Sequence, residues 1–255
     1  MLAIQEEVRE NAQKNVYTTW LNNYLQKENI KINDLYTDLS DGIILSKLIR
    51  VLWGEKVNIN TNVKVVFQRE SNINVILDFL QKKGVKIFIS SKEFNTNDSR
   101  SHKAILGFIM EIIKKYSIEP IEYCGLKGKK GLLKWCQESS KIGDEINNFS
   151  TSWENGEVLR SIIENYIPDF SKLKQINNFN FYPLTDDVQA CQNDEHINIV
   201  IASELYKCFN QTKSQSQSQS TTTTQQILSD SNTQNQTTKT KSFSSTPQSQ
   251  KQQQQ

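Results

Sequence analysis

Histidine is nearly absent from this chain. Among 255 residues only His102 and His196 occur, and neither stands near a serine or cysteine in a nucleophile motif. No GxxxxGK[ST], GxGxxG or EF-hand loop is present either, so the sequence offers no catalytic base, phosphate cradle or calcium loop. It reads as a protein that works without catalysis, cofactor or bound metal. Cysteine is scarce as well: Cys124, Cys136, Cys191 and Cys208 lie far apart without CxxC spacing. That leaves a zinc site or a disulfide framework unsupported and predicts reduced thiols. No apolar run approaches the ~20 residues that span a bilayer, and Met1 to Gln13 is too charged for a signal peptide. A cytoplasmic location is expected.

Net charge is also small, at +2. After Asn210 four lysines (Lys213, Lys239, Lys241, Lys251) stand against Asp230 alone, which leaves about −1 for the remainder. A polycation that binds nucleic acid through its phosphates is therefore excluded, and an acidic partner must be met by local patches. From Gln211 onward the sequence is almost entirely Gln, Ser, Thr and Asn, with Ile227, Leu228 and Phe243 as its sizeable apolar residues. Such a segment buries too little surface to offset its ordering entropy, and disorder is expected over 211–255.

What the chain does contain is a repeat. Leu35-Tyr36-Thr37-Asp38-Leu39-Ser40-Asp41-Gly42-Ile43-Ile44-Leu45 returns as Phe149-Ser150-Thr151-Ser152-Trp153-Glu154-Asn155-Gly156-Glu157-Val158-Leu159, and a tryptophan, Trp20 or Trp135, precedes each copy. Two homologous folded units follow from this. Their apolar spacing is helical. Val16, Trp20, Leu21, Tyr24 and Leu25 form one stripe, and Ile44, Leu45, Leu48, Ile49, Val51 and Leu52 a second, with Asp41 as the capping residue. Ile73, Ile76, Leu77 and Leu80 form a third stripe, which Gly84 closes, and a fourth helix is predicted over Lys103 to Tyr116. In the second unit Leu132 to Cys136, then Val158, Leu159, Ile162, Ile163 and Tyr166 behind the Asn155 cap, then Ile197 to Phe209 repeat the scheme. Trp20, Trp135 and Trp153 are expected to be core anchors.

Val16-Tyr17-Thr18-Thr19-Trp20-Leu21-Asn22, Asp34 to Gly42, Gly54-Glu55-Lys56, Asn72 to Leu80 and Lys83-Gly84-Val85-Lys86 resemble a type-one calponin-homology domain. Gly131-Leu132-Leu133-Lys134-Trp135-Cys136 and Asn148 to Gly156 resemble the type-two domain that accompanies it. The pair is similar to the tandem actin-binding module of filamin, alpha-actinin and spectrin, with wording that leans toward filamin. The resemblance implies an all-α protein: a flexible flank over 1–12, a first domain over 13–117, a linker over 118–129 and a second domain over 130–210. That second domain looks short at its C-terminal end, which would leave part of its core facing water.

Partners follow from the same resemblance. It implies actin filaments, bound mainly by the first domain while the second modulates. Two segments are implicated. One is the outer side of the first helix, with Lys14, Asn15, Thr18, Asn22 and Gln26, although polar residues there also suit a solvated face. The other is the fourth helix. At about 100° per residue Ile105, Ile109, Ile112 and Tyr116 share one face, and Leu106, Met110 and Ile113 form a second stripe beside it. That surplus stripe is either a partner surface flanked by Lys103 and Lys114 or one side of a helix buried on most sides. Met110 stands where family members commonly carry Trp, which removes an aromatic of the kind that dominates interfaces. The linker cluster Lys127, Lys129, Lys130 and Lys134, punctuated by glycines 125, 128 and 131, reads as a pliant hinge. It is also a candidate for phosphoinositide headgroups. An adaptor for other proteins, a microtubule binder and a weakly binding copy remain alternatives, and the sequence leaves the oligomeric state open.

Overall fold

A computed structural model describes residues 2–167 and 193–210. Cys191 and the tail over 211–255 lie outside the described residues. Helices dominate: α1 Leu2–Leu25, α2 Ile43–Trp53, α3 Val66–Lys82, α4 Ser99–Ile113, α5 Gly128–Ser139, α6 Glu157–Tyr166 and α7 over 195–210. Strand pairing among the described residues is limited to one antiparallel hairpin, β1 Glu122–Tyr123 with β2 Leu126–Lys127.

Both copies of the repeat start a helix the same way. The Asp41 carboxylate accepts from the Ile43 amide at 2.8 Å, and the Asn155 amide oxygen accepts from the Glu157 amide at 3.0 Å. Each oxygen thus satisfies an orphan donor from one residue before the cap itself, which is Gly42 or Gly156. Gly42 has φ +78°, and a Cβ there would lie 2.9 Å from Ile76 Cδ1. Backbone conformation and close packing on α3 both require glycine at that point. The paired hydrophobic positions are buried in both copies, Leu35 and Leu39 in one, Phe149 and Trp153 in the other.

The first core gathers Val16, Trp20 and Leu21 of α1 with Leu45, Leu48 and Ile49, Ile73, Ile76 and Leu80, and Ile105, Ile109 and Ile112. The second gathers Leu132, Trp135 and Cys136 with Val158, Ile162, Ile197 and Val200. Trp135 and Trp153 keep their indole N–H groups without a hydrogen-bond partner among the described residues, so they act by packing alone.

Several expectations need correction. The flank over 1–12 is not a loose tail, because α1 runs from Leu2, Ala12 is fully buried and Glu6 pairs with Lys103. The charged run lacks apolar period, and its helix is held by ion pairs that periodicity cannot reveal. The linker is not a pliant hinge either. Cys124 (φ +49°) and Gly125 (φ +75°) make a tight turn in the β1–β2 hairpin. At Gly131 a Cβ would meet the Leu126 carbonyl oxygen at 2.5 Å, so this glycine lets α5 press against the hairpin. Finally, α7 leaves no open core among the described residues, since Ile197, Ile199, Val200, Ile201 and Leu205 are all buried. Its cap repeats that of α4: Asp98 accepts from the Ser101 amide at 2.7 Å, and Asp194 from the Ile197 amide at 3.0 Å.

Candidate interaction surface

Lys14, Asn15, Thr18 and Asn22 fall on the side of α1 opposite the Trp20 stripe, each partly exposed. Two of them already have work within the fold. Lys14 bonds the Asp34 carboxylate at 3.0 Å and lies over the Tyr36 ring, 4.5 Å from its centroid. Burial pushes the Asp34 carboxyl upward, yet Lys14 and the amides of Tyr36 and Thr37 together hold it below its ordinary range. The Asn22 amide clamps the Ile32 backbone, accepting from its N–H at 2.7 Å and donating to its carbonyl at 3.0 Å. Asn15 and Thr18 have side chains that bond no other described residue. Gln26 is exposed but lies beyond α1, in the 3-10 turn Gln26–Glu28.

On α4 the surplus stripe is not a free surface. Leu106, Met110 and Ile113 are 3%, 8% and 0% exposed. Leu106 and Met110 floor a cleft of about 410 Å³ between α1, α4 and the Lys86–Ile89 loop, with His196 of α7 at its edge. The helix packs against α1 and the turns at Glu93–Asn95 and Lys114–Ile118, all within the first domain. Only the polar margin remains outside, and both of its lysines are engaged, Lys103 by Glu6 and Lys114 by Glu111 at 3.3 Å. Met110→Asp is therefore expected to lower the thermal midpoint, because a carboxylate forced into that floor costs upward of about 2 kcal/mol. An unchanged midpoint in a thermal melt would return Met110 to the surface.

The linker lysines are likewise matched to carboxylates: Lys127 to Glu122 at 3.5 Å, Lys134 to Glu138 at 3.1 Å, and Lys129 to Glu195 of α7. Lys130 has no ion pair among the described residues.

What sequence reasoning missed are the residues that form the seam between the domains. α7 lies along α1. Asp194 accepts from Arg9 at 2.6 Å and from Gln13 at 2.9 Å. Nearly three turns on, Glu204 accepts from the Trp20 indole at 3.1 Å and from the Tyr24 hydroxyl at 3.2 Å, and Lys207 donates to Tyr24 at 2.6 Å and to Ser117 at 2.7 Å. The Lys207 ammonium also lies over the Tyr24 and Tyr116 rings, 5.2 and 4.9 Å from their centroids. Burial pulls Lys207 below the ordinary lysine range while Glu204 pulls the other way, and burial pushes the Tyr24 hydroxyl up. A charged pair three residues apart, following the apolar run from Ile199 to Ala202, was the available signal. Its partners on α1 could not be read from spacing.

A family model described as the calponin homology (CH) domain matches residues 11–118 and again residues 126–222. The chain belongs to the calponin-homology family. It carries two copies of the domain in tandem, and the interlocked α1 and α7 are parts of different copies. Among curated relatives, the alpha-actinin of Dermatophagoides farinae is 32% identical over 196 residues, which is 74% of this chain and 21% of that protein. Alpha-actinin-3 of Homo sapiens is 32% identical over 171 residues, 65% of this chain and 19% of the relative. The erythrocytic spectrin beta chain of Mus musculus is 33% identical over 182 residues, 66% of this chain and 8% of the relative. The chain thus spans a fifth or less of most of these proteins, and the likeness lies in the tandem domains. No helix among the described residues is long and apolar enough to cross a membrane.

Proposed function

We propose that this chain is a non-catalytic cytoskeletal protein that binds the side of actin filaments through its first domain. The observation that carries the reading is the tandem pair itself, in a chain whose relatives include alpha-actinin and spectrin. Asn15 and Thr18, with Lys14 and Asn22 beside them, offer the outer strip of α1, which α7 leaves uncovered. Lys103 and Lys114 add positive charge at the margins of α4, whereas Leu106, Met110 and Ile113 contribute through the shape of the helix beneath. The second domain tunes the affinity by packing on the first. Glu204 and Lys207 hold that packing, and filament binding would bias an equilibrium between closed and open pairs. Lys127, Lys129, Lys130 and Lys134 supply a weak attraction for phosphoinositide headgroups, reduced by their carboxylate partners.

Co-sedimentation of the full chain with actin filaments, and in parallel with microtubules, tests the reading. Pelleting with actin alone is expected. Asn15→Glu places an acidic group on the strip facing an acidic filament and should weaken binding roughly tenfold with no change in thermal midpoint. Lys207→Ala should raise the pelleted fraction by loosening the seam. Absence of pelleting with actin would sink the proposal, and pelleting with microtubules instead would replace it.

A further inference from the structure

The cleft above Leu106 and Met110 is lined by a different side of α1 from the polar strip at Asn15 and Thr18, and its volume of about 410 Å³ is that of a small-molecule site. α4 leaves this space open because Gly107 stands in the wall. A Cβ added at Gly107 would meet no atom within 4 Å, so the helix presents bare backbone there. Phe88 and Ile89 add apolar wall from the loop.

A polar group in that wall lacks a partner. Tyr17 is 1% exposed and lines the cleft, yet its hydroxyl bonds no other described residue. Asp194 and Arg9 both act on the hydroxyl electrostatically, which sets it at the end of the cleft that Arg9 and Gln13 line. Burial pushes its pKa upward and the Asp194 carboxylate adds to the effect, so the group stays a neutral hydroxyl. A buried hydroxyl without a partner is costly, and a ligand with one hydrogen-bonding group would relieve that cost.

The charges in the wall select an uncharged ligand. Among the described lining residues three cations, Arg9, Lys86 and Lys103, balance three carboxylates, Glu6, Glu10 and Glu111. Arg9 is bonded to Asp194, Lys103 to Glu6 and Glu111 to Lys114, while Glu10 accepts from the Tyr36 hydroxyl at 3.4 Å. Lys86 has no ion pair among the described residues, but it is exposed, where water and salt screen it. A charged ligand of either sign would give up hydration without finding a buried counter-charge.

We infer that this cleft is a binding site for an uncharged, mainly apolar small molecule, whose body lies over Leu106, Gly107 and Met110 and whose polar group bonds the Tyr17 hydroxyl. Fluorescence titration of the full chain with N-phenylnaphthylamine, a neutral probe with a single N–H whose emission rises in apolar surroundings, tests the inference. Saturable binding is expected. Anilinonaphthalene sulfonate adds one negative charge to the same skeleton and should bind roughly tenfold more weakly. Gly107→Leu fills the space and should abolish probe binding while raising the thermal midpoint, since leucine is the better helix former. Tyr17→Phe removes only the hydroxyl and should weaken binding roughly fivefold without lowering the midpoint. Val65, Val66 and Phe67 are 54%, 53% and 78% exposed and offer the probe another apolar place. Phe67→Ser is therefore the control and should bind as the parent does. No saturable binding by the parent, or undiminished binding by Gly107→Leu, overturns the site. Loss of binding in Phe67→Ser overturns it as well, by moving the probe to α3. Tighter binding of the sulfonate, or full-strength binding by Tyr17→Phe, overturns the ligand class. Failure of the parent to pellet with actin leaves the titration unaffected.

Discussion

Trp20→Ala is expected to lower stability by about 3 to 5 kcal/mol, the largest loss of any single truncation in the first domain. The indole is fully buried, with ring centroids 4.6 Å from Tyr24 and 6.4 Å from Tyr116. Its removal leaves a cavity beside helices that can collapse only partly. It also withdraws the N–H that Glu204 and Ser117 both accept, so a carboxylate held in the seam loses a donor it cannot readily replace. Two effects should therefore appear together. Chemical denaturation should show the lost stability, and amide exchange in α7 should speed up although α7 belongs to the other domain. Trp135→Ala, by contrast, removes packing without a hydrogen bond. If Trp20→Ala accelerated exchange only within the first domain, the seam would not depend on that indole.

Asn72→Leu comes next, with an expected loss of about 3 kcal/mol although leucine keeps the same branched heavy-atom skeleton. The buried Asn72 amide accepts from the Asn60 N–H at 2.8 Å and donates to the carbonyls of Asn60 at 2.8 Å and Asp41 at 2.9 Å. Leucine leaves three backbone groups without a partner in a part-buried place, and each such orphan costs about 1 to 3 kcal/mol. The amide also ties the Asp41–Gly42 turn to the loop that leads toward α3, so the consequence is local before it is global. Hydrogen exchange at the Asn60 amide should rise far more than at residues of the α4 core. A variant that melted like the parent, with Asn60 still protected, would show that water replaces the amide.

Much of this protein was legible in advance because the relevant interactions are local. The Asp41 and Asn155 oxygens reach an amide two residues away, so sequence proximity is enough to identify them. Trp20 and Trp135 fall on helical stripes, and periodicity places such residues inside, while Trp153 takes the place of Leu39 in the repeat. The surplus stripe on α4 was a different matter. Periodicity reported two apolar sides on that helix, but it carries no information on what packs over the second one. The structure covers Leu106, Met110 and Ile113. The N-terminal flank was misjudged for a related reason, since Glu6 finds Lys103 nearly a hundred residues along the chain.

The candidate strip on α1 shows the same division. Its polar character was visible in the sequence, but the clamp between Asn22 and Ile32 was not. Nor was the pairing of Lys14 with Asp34 and Tyr36, which depends on where the loop after α1 returns. Tolerance of polar residues at a position does not tell whether they are solvated, bonded internally or offered to a partner.

By itself the sequence determined two all-helical domains of one family, their order, their capping turns and the tryptophans at their centres. Those follow from residue spacing, and spacing is a property of the chain. Only the tertiary structure decided which apolar face was spare, how α7 engages Trp20 and Tyr24 through Glu204 and Lys207, and that Val65 to Phe67 stand uncovered. Each of these depends on which distant segment arrives at a surface, and chain closure through the whole fold sets that arrival.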